Sequence, residues 1–571
     1  MPNPNPSGNP VLQLSNSDGG VLIANGPQNT SLTGNTISGN QLFGVRLSQV
    51  TATTLKSNFI GLNLARNGTV GNAGAGIDVQ NSVNTSIGGA SGDELNVISG
   101  NAGPGIRISG SDTVSTTVDG NYIGVSLASG QYTADAGNSG PGVLLENGPR
   151  QTTIGGFGNR IAANTGPGVQ ISATLPNTVT LTTLLANTIG FAPNGNQAPF
   201  ELPNSEGVVI AGDGVSSVDV LSNTIRFNAN DGIAVTAATT VTLQYNAAIS
   251  DNDGRGVYVA EGAERVQIRD NTIESNGAAA ILLEDAATER VTMIDNQIAR
   301  NVEPVTLLGT TAYNGTPPDT ATPGPNHDID PPFGIRVDRN GLISGFVYTG
   351  TFELNNDDPV FTPASACVEG PNGPCRIAVY QSDPELSSPD EQPWTRLGFQ
   401  GGDDLIPASD GLFSGELSSP VPINGQLLFA ATDGFGNTSA FAAFTVTPGL
   451  ALTPLDPADA ALESAPSQTV TYTLRLSNTG TLDLPNVALF TGGTLAGWDA
   501  TVTPNQVAIA AGGERVLTVT LDLPVGTDLN AAAGIIDTTV VHGKCNRSGD
   551  CDAGVQHVLE QAVLRVQPVR G

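Results

Sequence analysis

Short alternating apolar runs, parted by Gly and Asn, fill the first half of the chain. Typical are Gly256-Val257-Tyr258-Val259 and Val266-Gln267-Ile268. Alternation over three or four residues marks a strand with Val and Ile inward and the residue between them outward. The runs recur within one phrase: Asn-x-Ile-x-x-Asn, three residues, then Gly-Ile or Gly-Val. Asn35-Thr36-Ile37 leads to Asn40 and Gly44-Val45, and Asn96-Val97-Ile98 leads to Asn101 and Gly105-Ile106. The phrase returns at Asn159, Asn223 and Asn271, the last with Ala280-Ile281 in place of Gly-Ile.

Late in this region the unit length is clear. Gly207, Gly232, Gly256 and Ala280 stand 25, 24 and 24 residues apart. A period in the twenties marks a solenoid. Leu does not recur at the spacing of a leucine-rich repeat, so each unit reads as one coil of a parallel β-helix. Gly and Asn between the runs are turn residues that tolerate left-handed backbone. Coils stack at the strand spacing of about 4.8 Å, which places equivalent side chains one above another. The recurrent Asn35, Asn58, Asn96, Asn121, Asn159, Asn187, Asn223, Asn246, Asn271 and Asn296 are therefore expected to form a ladder of amides. Stacked amides can bond to one another and to turn backbone, satisfying groups that burial would otherwise leave unpaired. Ten positions imply about ten coils.

The stretches Asn58-Phe59-Ile60-Gly61, Gly71-Asn72 ahead of Gly76-Ile77, Ser86-Ile87-Gly88-Gly89 and Asn96-Val97-Ile98-Ser99-Gly100-Asn101 resemble a family of bacterial secreted right-handed parallel β-helix proteins. That family overlaps in fold with the pectate lyases. The resemblance covers residues 20–300 and implies fold far more than activity, since one fold hosts many functions.

Coils alternate between plain and decorated. Asn35 to Gly44 and Asn96 to Gly105 are both 9 residues, whereas Asn58 to Gly76 is 18 and Asn121 to Gly142 is 21. The insertions fall at 62–75, 125–141 and 191–206, at one point of the coil, and should project as a row about 10 Å apart. They form a contact surface or else pack on the flank and cover it. After Gly-Ile/Val, the outward residue reads Arg46, Asp78 and Arg107 on three successive coils. As a surface ion ladder, such pairs contribute about 0–1 kcal/mol each. As part of a lyase-type cleft, they would need clustered acidic calcium ligands, and Asp78 stands alone there.

The expected organisation is a β-helix over 1–310, a Pro-rich linker over 311–332, and two β-sandwiches over 333–448 and 452–571. The class is all-β. In the first sandwich, Ala430-Ala431-Thr432-Asp433-Gly434-Phe435-Gly436-Asn437-Thr438-Ser439 resembles the last hairpin of immunoglobulin-like modules of bacterial surface proteins. In the second, Val470-Thr471-Tyr472-Thr473-Leu474-Arg475-Leu476 alternates cleanly, and the segment resembles immunoglobulin-fold adhesion modules. Residues 1–20 are polar and are expected to lead into or partly cover the first coil, whose open edge would otherwise invite pairing.

Composition narrows the function classes. With 571 residues the chain can build several cores, and its net charge is −31. Lys56 and Lys544 are its only lysines. This balance argues against nucleic acid, an anionic membrane surface or a highly acidic polymer as partner. It permits calcium, although no motif demands a cofactor. The four cysteines form two close pairs, Cys367 with Cys375 and Cys545 with Cys551, each spanning turn residues. Two local disulfides in an extracytoplasmic protein are the natural reading. The alternative, one zinc held by four thiolates, requires pairs 170 residues apart to converge. No run is apolar enough for a transmembrane span. The opening Met1-Pro2-Asn3-Pro4-Asn5-Pro6 is not a signal peptide, and the expectation is a fragment of a longer chain.

No catalytic set emerges. His327, His542 and His557 are the only histidines and none falls in the β-helix, which excludes a nucleophile–His pair there. His327-Asp328-Ile329-Asp330 is a weak metal motif on a linker. Carboxylates able to serve a polysaccharide hydrolase are Asp251, Asp253, Asp270, Glu284-Asp285 and Asp295, most of them beside the Asn turns where Asp is a common turn residue. The reading that follows is a non-catalytic extracellular or cell-surface rod with a binding face for a polysaccharide or surface glycan. The alternative is a polysaccharide lyase or glycoside hydrolase. A third reading is self-assembly into a homo-oligomer or fibre.

Overall fold

In the computed structural model, the described residues run from 16 to 307, with gaps at 129–130, 134–135, 195–196 and 286. Beyond these, they cover most of 332–347, 369–381, 395–446, 469–492, 499–522, 537–545 and 559–568, with Cys367 and shorter pieces. Residues 16–307 form a parallel β-helix of about ten coils built from three sheets. Sheet A has 11 strands, from Gly19–Ala24 to Glu303–Leu307. Sheet B has 10, from Ser31–Thr33 to Glu289–Ile294. Sheet C has 10, from Thr36–Ile37 to Gln297–Ala299.

Stacking puts like above like. Val45, Ile77, Ile106, Val143, Val169, Val208, Ile233, Val257 and Ile281 form one fully buried column, and Ile60 to Ile273 another. The glycine before each strand of sheet A sits where coils press closest. At Gly232 an added Cβ would lie 2.7 Å from the Gly256 carbonyl oxygen and 2.7 Å from an Ile249 methyl. Only glycine fits there.

The asparagines at the B-to-C corner form one unbroken chain of amides. Each Nδ2 donates to the next Oδ1 from Asn35 through Asn58, Asn96, Asn121, Asn159, Asn187, Asn223, Asn246 and Asn271 to Asn296, at 2.8–3.2 Å. The same Oδ1 accepts the backbone N–H of the preceding ladder residue, as in Asn121 N to Asn159 Oδ1 at 2.9 Å. The spare amide hydrogen meets a carbonyl, as in Asn159 Nδ2 to Val118 O at 2.8 Å. A second ladder lines the C-to-A corner: Asn16, Asn40, Asn72, Asn101, Asn138, Asn164, Asn204, Asn228, Asn252, Asn276 and Asn301, at 2.6–3.1 Å. The sequence phrase holds half of this ladder as its second Asn. The rest is hidden behind the insertions, which return to the coil through Asn72, Asn138 and Asn204.

A further column faces inward from sheet B. Thr53, Thr85, Thr116, Thr152 and Thr182 are buried on five successive coils, and their hydroxyls lack a hydrogen-bond partner. From the next coil the column turns to Val218, Val241, Val266 and Val291. Valine fills the same volume without the polar atom.

The insertions are small hairpins. Ser126–Ala128 pairs with Gln131–Thr133, Phe191–Asn194 pairs with Gln197–Glu201, and Leu62 bridges Thr69. Their bases pack on the flank: Val125, Ala192 and Leu202 are buried with Ala162 against Tyr122 and Phe200.

The C-terminal half is all strand. One four-stranded antiparallel sheet holds Arg376–Gln381 and Gln426–Thr432, and another holds Thr469–Ser477 and Glu514–Asp522. Between them an eight-stranded sheet takes strands from both expected sandwiches, joined where Val337–Asp338 lies parallel to Leu482–Asp483. The expected division at 448–452 therefore does not divide the sheets. Cys367 and Cys375 are disulfide-bonded, which removes two of the four thiolates that a shared zinc would need. The Cys545–Cys551 pairing and the linker 311–331 lie outside the described residues.

The turn of the first sandwich sits on the last strand of sheet B. Thr438 N donates to Val291 O at 3.1 Å, Met293 N to Thr438 Oγ1 at 3.1 Å, and Arg290 N to Asn437 Oδ1 at 2.6 Å. Arg396 ion-pairs with Asp295 and with Asp404, and Tyr380 and Leu428 join the core of the last coils. A strand edge that would invite other chains is thus covered.

Two stability predictions follow from these columns. Asn159→Ala should destabilise the β-helix by about 3 kcal/mol, because it strands a buried N–H, two amides and a carbonyl, whereas Asn35→Ala, at the end, should cost about 1 kcal/mol. Thr116→Val should leave stability unchanged or raise it by up to about 1 kcal/mol, since it removes a buried unpaired hydroxyl at constant shape. Urea midpoints of the three variants check both.

Candidate functional site

The residue before each ladder Asn must adopt left-handed backbone. Gly fills this place at Gly34, Gly100 and Gly120, and Asp fills it at Asp251 (φ 54°), Asp270 (φ 54°) and Asp295 (φ 55°). Asp tolerates that conformation better than most side chains. Three of the candidate carboxylates are therefore placed by turn geometry, and their charges are taken up locally. Asp251 accepts from Arg226 Nη2 at 2.6 Å, Asp270 from Gln244 Nε2 at 3.1 Å, and Asp295 from Arg396. Asp253 lies in the C-to-A turn, its N–H bonded to Asn228 O at 2.9 Å. Asp285 closes another turn, accepting the N–H of Ala287 at 2.9 Å and of Thr288 at 3.1 Å. Asp433 likewise serves its own turn, accepting from the N–H of Phe435 and Asn437 and from Asn437 Nδ2, each at 2.9 Å.

The exposed face of sheet A gathers charge in two places. Over the early coils Arg46, Asp78, Arg107 and Glu146 interlock: Arg46 Nε to Asp78 Oδ2 is 2.8 Å, Arg107 Nη1 to Asp78 Oδ1 is 3.6 Å, and Arg107 Nη2 to Glu146 Oε1 is 2.6 Å. Asp78 is 2% exposed while both arginines stay about one-third exposed. The carboxylate is thus the buried centre of the ladder, and Gln80 Nε2 donates to it at 2.9 Å.

The second cluster was not singled out by the sequence reading. Asp231 and Arg255 precede Gly232 and Gly256, so the 24-residue repeat stacks them. Arg255 Nη2 meets Asp231 Oδ2 at 2.7 Å, and its Nε meets Oδ1 at 2.9 Å. The guanidinium lies 3.6 Å from the centre of the Tyr258 ring, and Tyr258 Oη donates to Glu284 Oε2 at 2.5 Å. Equal spacing from the corner glycines was the signal that could have found the Asp231–Arg255 pair.

The electrostatics of these groups are conservative. Burial, then the Glu284 carboxylate, pushes the Tyr258 phenol up to about 12 against the opposing pull of Arg255. Burial likewise pushes Tyr380 up to about 12. Burial would lower the Arg255 guanidinium, but its bond to Asp231 and the negative charge there hold it above its ordinary value. Asp404 and Asp295 do the same for Arg396. The hydrogen bond from Lys56 holds Glu94 below the usual carboxylate range. Each of these shifts carries its group further from neutrality. Among the described residues, no group of three or more His, Cys, Asp or Glu is placed to hold a metal ion. His327-Asp328-Ile329-Asp330 lies outside them. No helix is long and apolar enough to cross a membrane.

The family profile described as right handed beta helix region matches residues 200–316. The chain carries a right-handed β-helix. No curated protein matches the sequence. Among solved structures, the A-module of the mannuronan C-5 epimerase AlgE4 of Azotobacter vinelandii is 16% identical, over 52% of this chain and 90% of that one, with a TM-score of 0.27. The periplasmic alginate epimerase AlgG is 12% identical, over 50% and 74%, with a TM-score of 0.28. The enzymatically active domain of bacteriophage CBA120 tailspike protein 2 is 11% identical, over 90% and 79%, with a TM-score of 0.29. These likenesses are too distant to bear on the chemistry of this β-helix.

The raised tyrosines give a pH prediction. The folded protein keeps both phenols protonated where an unfolded chain, with its phenols near 10, would lose the protons. Their contribution to stability is therefore full below about pH 10 and lost as pH rises from there toward about 12. In an alkaline titration of the ultraviolet phenolate band, a late component should appear, and Tyr258→Phe should remove part of it.

Proposed function

We propose that this chain is a non-catalytic extracellular or cell-surface rod whose sheet A face holds a polysaccharide or surface glycan. The C-terminal sheets would then serve as immunoglobulin-like spacer or attachment modules. The observation that carries the reading is the pairing of charges on that face. Arg46, Asp78, Arg107 and Glu146 fix one another across four coils, and Arg255 is fixed by Asp231. A surface of pre-positioned donors and acceptors recognises hydroxyl-rich polymers at little ordering cost. It is poorly suited to proton transfer, which wants a group poised near the working pH. The Cys367–Cys375 bond supports an oxidising compartment.

A second reading, a polysaccharide lyase or glycoside hydrolase, is favoured by one observation. Tyr258 Oη and Glu284 lie within hydrogen-bond reach, with Arg255 against the ring. A phenol, a carboxylate and an adjacent cation can in principle share a proton transfer on a sugar ring.

Incubation with plant, algal and bacterial polysaccharides, with and without calcium, separates the two. The expected result is retention on at least one polymer without release of soluble sugar, weakened about tenfold by Arg107→Ala, a loss of about 1.4 kcal/mol. Release of sugar that Tyr258→Phe or Glu284→Gln abolishes would replace the first reading by the second.

A further inference from the structure

The two ends of the β-helix are finished differently. At the far end the inward residues are fully covered: Val291 is 0% and Met293 4% exposed, beneath Tyr380, Leu428 and the turn 433–439. At the near end the matching columns open to solvent. Val21, Ile23 and Leu32 continue the columns of Val45, Leu47 and Leu55, which are fully buried, yet they are themselves only partly buried. Leu22 and Leu42 beside them are 61% and 49% exposed. The first strands of all three sheets, Gly19–Ala24, Ser31–Thr33 and Thr36–Ile37, pair on one side among the described residues. An apolar core end with free strand edges is the kind of surface that associates.

Charge says with what. Between Asp18 and Arg46 the sequence has no Asp, Glu, Lys or Arg, in a chain whose net charge is −31. Strand edges left open by selection usually carry a charge that repels a second edge. Here that device is missing, in the stretch where two copies of so acidic a chain could meet with least repulsion. The far end is closed by the chain's own sandwich, so head-to-tail growth has no receiving surface.

We propose that the open end of the first coil is a docking surface for a second copy of this chain, end to end, giving a closed twofold dimer. The same patch on each copy is buried, as a twofold interface requires. The inference is independent of the glycan reading.

The test is the mass of the full chain by light scattering across a concentration series, compared with Leu22→Glu and Thr33→Glu. Both positions are exposed, so neither change should disturb the coil, and hydrogen exchange at Val45 and Leu47 checks this. The expected result is twice the protomer mass for the parent chain, and a dissociation constant raised about tenfold or more by either charge. A parent chain that stays monomeric overturns the proposal, including the case in which Val21 and Ile23 amides prove protected by residues preceding them. Assemblies that grow beyond the dimer, or a dimer indifferent to both charges, overturn it as well.

Discussion

A buried amide must meet a partner at every strand spacing, and the rest of the β-helix is built around that demand. Along the two Asn ladders the sequence separation of neighbours varies from 23 to 40 residues, yet the amide-to-amide distance stays within a few tenths of an ångström. The chain may wander between corners, but it must bring an Asn back to each corner. This is why a hairpin can be inserted after Ile60, Ile123 and Ile189 without breaking the stack. Loop length is cheap in free energy, since closure cost grows only with its logarithm. An unpaired amide in the interior is not cheap.

The ladder also decides which residues surround it. Its geometry forces left-handed backbone one residue earlier, and that position accepts Gly, Asp, Ser or Ala according to how much each pays in strain. The early coils use Gly at Gly34, Gly100, Gly120 and Gly158, while the late coils use Asp at Asp251, Asp270 and Asp295. The same early-to-late division appears in the core, where the threonine column gives way to valine between Thr182 and Val218. The coils that carry hairpins keep interior hydroxyls; the regular coils have shed them. We have no physical account of why the two coincide.

Much of this was legible in the chain because a solenoid repeats its constraints. The inward Val and Ile, the ten corner asparagines of the first ladder and the place of the insertions all follow from one period. What was not legible depends on contacts across unrelated separations. Half of the second ladder was hidden because Asn72, Asn138 and Asn204 follow insertions of unequal length. The Tyr258–Glu284 bond links a residue of one coil to the end of the next strand, a diagonal that no spacing rule prefers. The docking of Asn437 and Thr438 onto Arg290 and Met293 spans more than 140 residues. Likewise the pairing of Val337 with Leu482 erased a boundary that local composition suggested.

In a stacked array each coil is stabilised only by its neighbours, so a terminal coil holds on through one interface where an interior coil has two. At the far end this chain supplies the missing interface from its own sandwich, through backbone bonds to Val291 and Met293 and an apolar contact with Tyr380. The turn that does so is itself held by Asp433, whose carboxylate is spent on Phe435 and Asn437 rather than on a metal. Fraying from that end therefore requires the sandwich to lift, which couples the two folds. The near end has the apolar residues for such an interface and no charge to discourage one. An array anchored at one end frays from the other, so whatever covers Val21, Ile23 and Leu32 sets the stability of the early coils, and with it the order of the Arg46–Asp78–Arg107 face they display.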